Sequence, residues 1–117
     1  MLTLLDKTQA IVDALEEIKG NDIVVIDTSK KSTLFDRMII ASANSNRQTR
    51  ALAHNVCKKL EERGSTIYST EGEKSGEWVL IDLGEVLVHV MQPGVRMYYS
   101  LEELWSKHPP AAPVTKP

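Results

Sequence analysis

The sequence predicts an α/β (α+β) fold, a single domain in which a mixed sheet of four or five strands is packed by helices. Three observations predict it. Two segments have the 3.6-residue apolar repeat of amphipathic helices, and several short apolar runs are typical of strands. The predicted order along the chain is α-β-β-α-β-β-β-α. A chain of 117 residues has the usual length of one domain.

The first half of the chain predicts a helix and then two strands. Apolar side chains share one stripe of residues 4–19, and Thr3 supplies an N-cap for that helix. Residues 23–26 are a short apolar run between two aspartates, which is typical of a strand buried on both faces. Residues 34–43 follow a polar turn and predict the second strand.

The middle of the chain predicts a second helix and a short strand. Residues 45–64 again place their apolar side chains on one stripe. Ser45, three residues before Gln48, is typical of a capping box, and Gly64 is expected to end the helix. Residues 66–69 then predict a strand at the edge of the sheet, followed by a charged loop with two glycines.

The next segment predicts a β-hairpin. Two apolar runs, residues 78–83 and 86–91, are separated by Gly84 and Glu85, and a Gly-X pair is typical of a two-residue hairpin turn. Strand side chains alternate between faces, so this turn places six aliphatic side chains on one face. The expected cross-strand pairs are Leu83 with Val86, Ile81 with Val88, and Val79 with Val90.

The opposite face of the predicted hairpin holds chemically unlike side chains, and it is called the mixed face below. Its pairs are Trp78 with Met91, Leu80 with His89, and Asp82 with Leu87. A face under a second core layer would not need this mixture, and a face that meets only water would not favour a Trp and a Met. We therefore predict that the mixed face contacts a partner, with Trp78 as its anchor.

The C-terminal part predicts an extended segment, a short helix and a tail. After a Pro-Gly turn, residues 95–99 favour an extended strand, with one helical turn as the alternative. Ser100 is expected to cap a last helix that continues to Lys107. Residues 108–117 contain four prolines and no apolar periodicity, which predicts a flexible tail after a domain of residues 1–107.

Composition predicts a cytoplasmic protein without a cofactor. A net charge of −2 gives no overall attraction to nucleic acid. The apolar runs are far shorter than the ~20 residues of a membrane span, and Asp6 interrupts any signal-like core. A single cysteine, Cys57, cannot form an internal disulfide. We therefore expect neither a transmembrane helix nor a signal peptide.

Aspartates flank or interrupt the predicted strands, as they would in a metal-dependent nucleotidyltransferase: Asp22, Asp27, Asp36 and Asp82. Such enzymes normally need two acidic residues at alternate positions of one strand, together with a Gly-Ser phosphate-binding turn. The sequence has neither, and His89 lacks a neighbouring nucleophile or second metal ligand. We expect no catalytic residue and no metal site. The alternative is a divergent nucleotidyltransferase or other Mg²⁺-dependent enzyme that uses Asp82 and a second carboxylate.

The second predicted helix is the most basic segment of the chain. Five basic and two acidic side chains give residues 47–63 a net charge of +3. Such a face can contact RNA phosphates, although a solvated helix face often has the same composition. An RNA-binding accessory factor is therefore a third hypothesis.

The whole pattern resembles the ribosomal silencing factor family, also called the iojap-related proteins. The resemblance covers roughly residues 4–107. Any one of its signature residues would be weak alone, but their combined spacing is specific. The combination is Trp78, Asp82, Gly84, His89, Arg96, Tyr99 and Trp105.

The resemblance implies a nucleotidyltransferase-like fold without that superfamily's catalytic motif, and a homodimer when free. It implies a cytoplasmic repressor that binds ribosomal protein fourteen of the large ribosomal subunit. Occupying that site would keep the small subunit from joining when nutrients are scarce. The partner-binding residues expected from the mixed face and from the resemblance are Trp78, Leu80, Asp82, His89, Met91, Arg96 and Tyr99.

Overall fold

This computed structural model describes residues 2–106, without the side chains of residues 102 and 106, and these residues form four helices and five strands. The predicted tail at residues 108–117 lies outside this range. The elements are α1 (Leu4–Glu17), β1 (Asn21–Asp27), β2 (Arg37–Ser42), α2 (Asn46–Glu62), β3 (Ser69–Glu71), β4 (Trp78–Asp82), β5 (Val86–Met91), α3 (Pro93–Tyr99) and α4 (Leu101–Ser106).

The strands of the described residues form one five-stranded mixed sheet in the order β1-β2-β5-β4-β3. Strands β2 and β5 are parallel, and the other neighbouring pairs are antiparallel. The parallel pairing places the C-terminal hairpin β4–β5 in the middle of the sheet, between β2 and the short edge strand β3. The predicted fold class, a single α/β domain with a mixed sheet, is confirmed.

The two long helices begin where their sequence signals predict. The hydroxyl of Thr3 accepts the Asp6 backbone N–H at 3.0 Å, and that of Ser45 accepts the Gln48 N–H at 3.1 Å. Gly64 has a φ of +90° and follows the end of α2, a conformation that costs glycine little. No helix within residues 2–106 is long and apolar enough to cross a membrane.

The sheet buries its two faces to different extents. Helices α1 and α2 cover one face with a large aliphatic core that includes Leu15, Ile39, Leu52, Ile81 and Val88. The other face has a smaller core around Met38, Ile40 and Met91, beneath partly buried side chains that include Phe35, Val95, Leu101 and Trp105. The second core therefore lies toward the β1–β2 side of the sheet.

Residues 95–99 are not extended, and that prediction is wrong. They belong to α3, which starts with Pro93 at its first position, where the missing N–H is no loss and the fixed φ suits a helix. The helix ends at Ser100, which has a left-handed φ of 48°. The Ser100 hydroxyl donates to the Met97 carbonyl at 2.8 Å, and the Ser100 carbonyl accepts the Glu103 and Leu104 backbone N–H groups at 3.2 Å.

The two edge strands also differ from the predictions. Strand β1 was expected to be buried on both faces, but only Ile26 in it is buried, and Val25 is exposed, because β1 is the edge strand of the sheet. The short strand expected at residues 66–69 starts later, at Ser69, where pairing with Asp82 of β4 becomes possible.

Candidate functional site

The hairpin β4–β5 has the predicted register, and this register determines what lies on the mixed face. Trp78 pairs with Met91, Leu80 with His89, and Asp82 with Leu87. The turn is closed by the Leu83 N–H, which donates to the Val86 carbonyl at 3.0 Å. Asp82 also supports the turn, because its Oδ1 accepts the Gly84 backbone N–H at 2.8 Å. Its carboxylate is therefore a turn cap in the free chain.

The mixed face is covered unevenly. Met91 is 0% exposed and belongs to the smaller core, so it supports the face from below in the free chain. Four other side chains of this face are only half-buried, three of them on β4: Trp78, Leu80, Asp82 and, on β5, Leu87. The sequence pattern placed all these side chains on one face but did not show which part of it α3 and α4 cover.

Trp78 lies between two other rings. Its indole Nε1–H donates to His89 Nδ1 at 2.9 Å, with 5.8 Å between the ring centroids. On α3, Tyr99 packs against the same indole with a centroid distance of 4.8 Å and an interplanar angle of 49°. The structure thus brings together three of the predicted site residues from three elements, β4, β5 and α3.

His89 is buried and uncharged. It is 6% exposed, and burial lowers the pKa of its imidazole from 6.5 to about 4. Because Nδ1 accepts the bond from Trp78, the ring proton lies on Nε2. That buried Nε2–H has no acceptor among the described residues. An unsatisfied buried donor commonly costs about 1–3 kcal/mol of stability, so an imidazole that served only to fill space would be unfavourable for stability here.

Arg96 lies inside the fold rather than on the surface of the mixed face. Its side chain is buried, and Nη1 donates to the Ser42 hydroxyl of β2 at 2.7 Å. This bond ties α3 to the middle of the sheet. Arg96 therefore determines where the helix carries Tyr99, and in the free chain it is a support for the predicted contact surface.

Sequence reasoning missed two exposed apolar side chains on α3. Met97 is 78% and Tyr98 is 81% exposed, and the ring of Tyr98 packs edge-on against Tyr99 at 5.0 Å. Pro93 was only a partial signal, because it fits the first position of a helix as well as a turn; a helix that starts there turns residues 97 and 98 away from the buried Arg96. Six residues form what is called the open patch below: Trp78, Leu80, Asp82, Leu87, Tyr98 and Tyr99.

The basic helix α2 uses part of its charge within the chain. Arg50 Nη1 donates to the carbonyls of Glu73 and Lys74 at 3.4 and 3.3 Å. Lys59 pairs with Glu17 at 3.6 Å. These bonds hold the charged loop and α1 against α2, so two of the five basic side chains have structural partners.

The carboxylates considered as metal ligands are dispersed. Asp27 pairs with Arg37 at 3.1 Å. Hydrogen bonds that its carboxylate accepts from the hydroxyl and backbone N–H of Ser29 lower the pKa of the carboxyl, and the charge of Arg37 lowers it further. Within residues 2–106, His, Cys, Asp and Glu side chains form no group of three placed to hold a metal ion. Cys57 on α2 is half-buried, and burial raises the pKa of its thiol.

A family model and the sequences of individual relatives give the same family for this chain. A family model described as ribosomal silencing factor during starvation matches residues 2–116. Ribosomal silencing factor RsfS of Chromobacterium violaceum is 55% identical over 100 residues, which are 86% of this chain and 82% of that protein. A crystal structure of a protein from the same organism has a TM-score of 0.89 and 49% identity, and the match covers 99% of this chain and 98% of that one.

A more distant relative in mouse carries the name mitochondrial assembly of ribosomal large subunit protein 1. It is 30% identical over 99 residues, which are 82% of this chain and 43% of that protein. The family model and the bacterial relative each match more than two thirds of this chain. The chain therefore belongs to the ribosomal silencing factor (RsfS) family, whose members are ribosome-associated factors rather than enzymes.

Proposed function

We propose that this protein represses translation by binding the large ribosomal subunit through ribosomal protein fourteen and keeping the small subunit from joining. Its site of action would be the cytoplasm, under nutrient limitation. The contact surface in this proposal is the open patch. Met91, His89 and Arg96 hold that patch from within the fold.

The observation that carries the proposal is the open patch in a chain of this family. Half-buried Trp78 packs against the exposed ring of Tyr99, which in turn packs against exposed Tyr98, and aromatic side chains of this kind are enriched at interface hot spots. Asp82 adds one carboxylate at the edge of this apolar area. A partner that offers an apolar pocket rimmed by basic side chains fits this combination.

The choice of the large subunit is supported by the name of the mouse relative, which refers to assembly of that subunit. A protein that occupies an intersubunit surface needs no catalytic group, because it acts by steric exclusion. This agrees with a site whose carboxylate caps a turn and whose imidazole accepts a hydrogen bond from an indole.

Trp78→Ala gives the most direct test. Truncating a buried interfacial Trp commonly costs ~2 kcal/mol or more, which is about thirtyfold in affinity. In co-sedimentation with isolated large subunits, wild type should travel with the particle, and Trp78→Ala should stay in the supernatant. When small subunits are then added, wild type should suppress the joined particle and Trp78→Ala should not.

Tyr68→Ala is the matched control, because Tyr68 is also an exposed aromatic but lies just before β3. Its neighbour Ser69 pairs with Asp82 on the mixed face, so strand alternation places Tyr68 on the other face. This variant should bind and block like wild type. A folded Trp78→Ala chain that bound equally well would move the contact surface elsewhere.

Three further outcomes bear on the proposal and on the RNA-binding alternative. Binding that falls steeply with salt, by about 0.9 log units per log unit for each duplex phosphate contact, would favour RNA contact through α2. Binding to purified ribosomal protein fourteen, lost in Trp78→Ala, would support the proposed partner. If wild type bound no ribosomal particle, the proposed function would be wrong for this chain.

A further inference from the structure

The Trp78 indole is held from two sides by residues of different elements. Its N–H donates to His89 Nδ1 on β5 at 2.9 Å. The ring of Tyr99, at the C-terminal end of α3, packs against it at 4.8 Å. An indole with these two contacts has a defined orientation, although the residue itself is only half-buried.

In the free chain, His89 is the member of this cluster that is least accessible to a docking partner. It is buried, whereas Tyr99 is 51% exposed. Its Nε2–H is buried without an acceptor among the described residues, and an apolar ring of similar size would fill the same space without this unsatisfied donor. What an apolar ring would lack is the acceptor for the indole N–H.

We propose that His89 is a positioning residue, which fixes the Trp78 indole through its Nδ1 acceptor in the orientation that the ribosomal partner binds. This inference rests on the proposed function above. It also specifies the chemistry of the contact. Because the indole N–H is already bonded within the chain, Trp78 offers its ring face and edge, and the partner group that meets it is apolar or cationic.

Three substitutions separate this role from a direct contact. His89→Phe keeps a planar ring and removes the acceptor, His89→Asn keeps an acceptor close to the position of Nδ1, and Trp78→Phe removes the donor. We expect His89→Phe to weaken binding to isolated large subunits by on the order of tenfold. His89→Asn should stay much closer to wild type, within about threefold. In a Trp78→Phe background, His89→Phe should add no further loss.

An NMR measurement on the free chain tests the contact without the ribosome. The chain has two tryptophans and therefore two indole N–H signals, and Trp78→Phe identifies the one from Trp78. In wild type that proton should exchange slowly with water, because it is hydrogen-bonded. His89→Phe should shift the signal and speed its exchange, and His89→Asn should restore slow exchange.

Each outcome of these experiments supports or overturns the positioning role of His89. An unchanged Trp78 signal in His89→Phe, or full binding by that folded variant, would overturn the positioning role. The role would also be overturned if His89→Phe weakened binding as much in the Trp78→Phe background as in wild type, because His89 would then act on the partner by another route. If His89→Phe does not fold, fast exchange of the wild-type Trp78 indole would overturn it, and slow exchange with near-normal binding by His89→Asn would support it. Wild type that binds no large subunit would contradict the proposed function, and the NMR signal alone would then decide whether His89 holds the indole.

Discussion

The two faces of the hairpin β4–β5 are built from alternate residues of the same strands, yet they are packed differently. On the face toward α1 and α2, four aliphatic side chains are fully buried: Val79, Ile81, Val88 and Val90. On the mixed face, Trp78 and Leu80 are half-buried, and the His89 Nε2–H has no acceptor among the described residues. Burial of apolar area explains the first face. The mixed face holds an indole and an imidazole that a contribution to stability alone does not explain.

If the proposed contact surface is right, folding and binding are divided between neighbouring residues of one strand. A residue and its successor point to opposite faces, so one contributes to the core and the other to the proposed contact surface. The division is incomplete at Met91, which lies on the mixed face but is fully buried beneath α3 and α4. Substitutions at adjacent positions should therefore separate the two properties.

Ile81 and Leu80 give the largest expected contrast between the faces. Ile81→Ala leaves a cavity in the main core and should lower the free energy of unfolding by about 2–5 kcal/mol. Leu80→Ala, one residue earlier and only half-buried, should lower it by ~1 kcal/mol or less while weakening binding to the large subunit. Urea denaturation measures the first quantity and co-sedimentation the second. Similar losses of stability in both variants would contradict the separation of the faces.

The register of the hairpin could be predicted because its determinants are local. Gly84 between two apolar runs indicated the turn, and the period of two then assigned each side chain to a face. The helix caps at Thr3 and Ser45 are likewise short-range signals. These parts of the fold depend on residues close in sequence.

The coverage of the mixed face depends on distant residues and could not be predicted. Pro93 and Gly94 fit both a turn and the start of a helix, and only packing of Arg96 against Ser42 distinguishes the two. The burial of Met91 depends on where α4 lies, which alternation along β5 does not encode. The Trp78–His89 bond joins residues eleven positions apart and becomes visible only once the register is combined with side-chain orientation.

A substitution at Gly72 tests whether the neighbouring chain holds the backbone of Trp78 in place. Gly72 has a φ of +89°, and a Cβ atom added there would overlap the Trp78 carbonyl oxygen. Gly72→Ala should therefore lower the free energy of unfolding by about 2–4 kcal/mol, from both strain and overlap. Gly64→Ala is the control, because its φ of +90° is similar but no atom lies within 4 Å of an added Cβ. It should cost only about 1 kcal/mol. Equal losses in thermal or urea unfolding would mean that strain alone matters and that the chain at Gly72 does not constrain the Trp78 backbone.

The smallest effect concerns the buried imidazole and depends on pH. Burial lowers the pKa of His89 from 6.5 to about 4, so between these values the unfolded chain binds a proton that the folded chain does not. The contribution of His89 to the free energy of unfolding is therefore present above pH 6.5 and is lost as the pH falls toward 4. Between pH 7 and pH 5 the loss should be about 2 kcal/mol.

His89→Phe is the control for this pH effect, because it removes the titrating group and keeps a ring in its place. Urea unfolding at pH 7 and pH 5 should show a smaller pH-dependent loss in the variant than in wild type, and the difference isolates His89. Parallel losses in the two chains would mean that folded His89 takes up its proton as readily as the unfolded chain. The bond from the Trp78 indole would then open near neutral pH, and the mixed face would change with pH while the aliphatic face, which carries no titratable group among its buried pairs, would not.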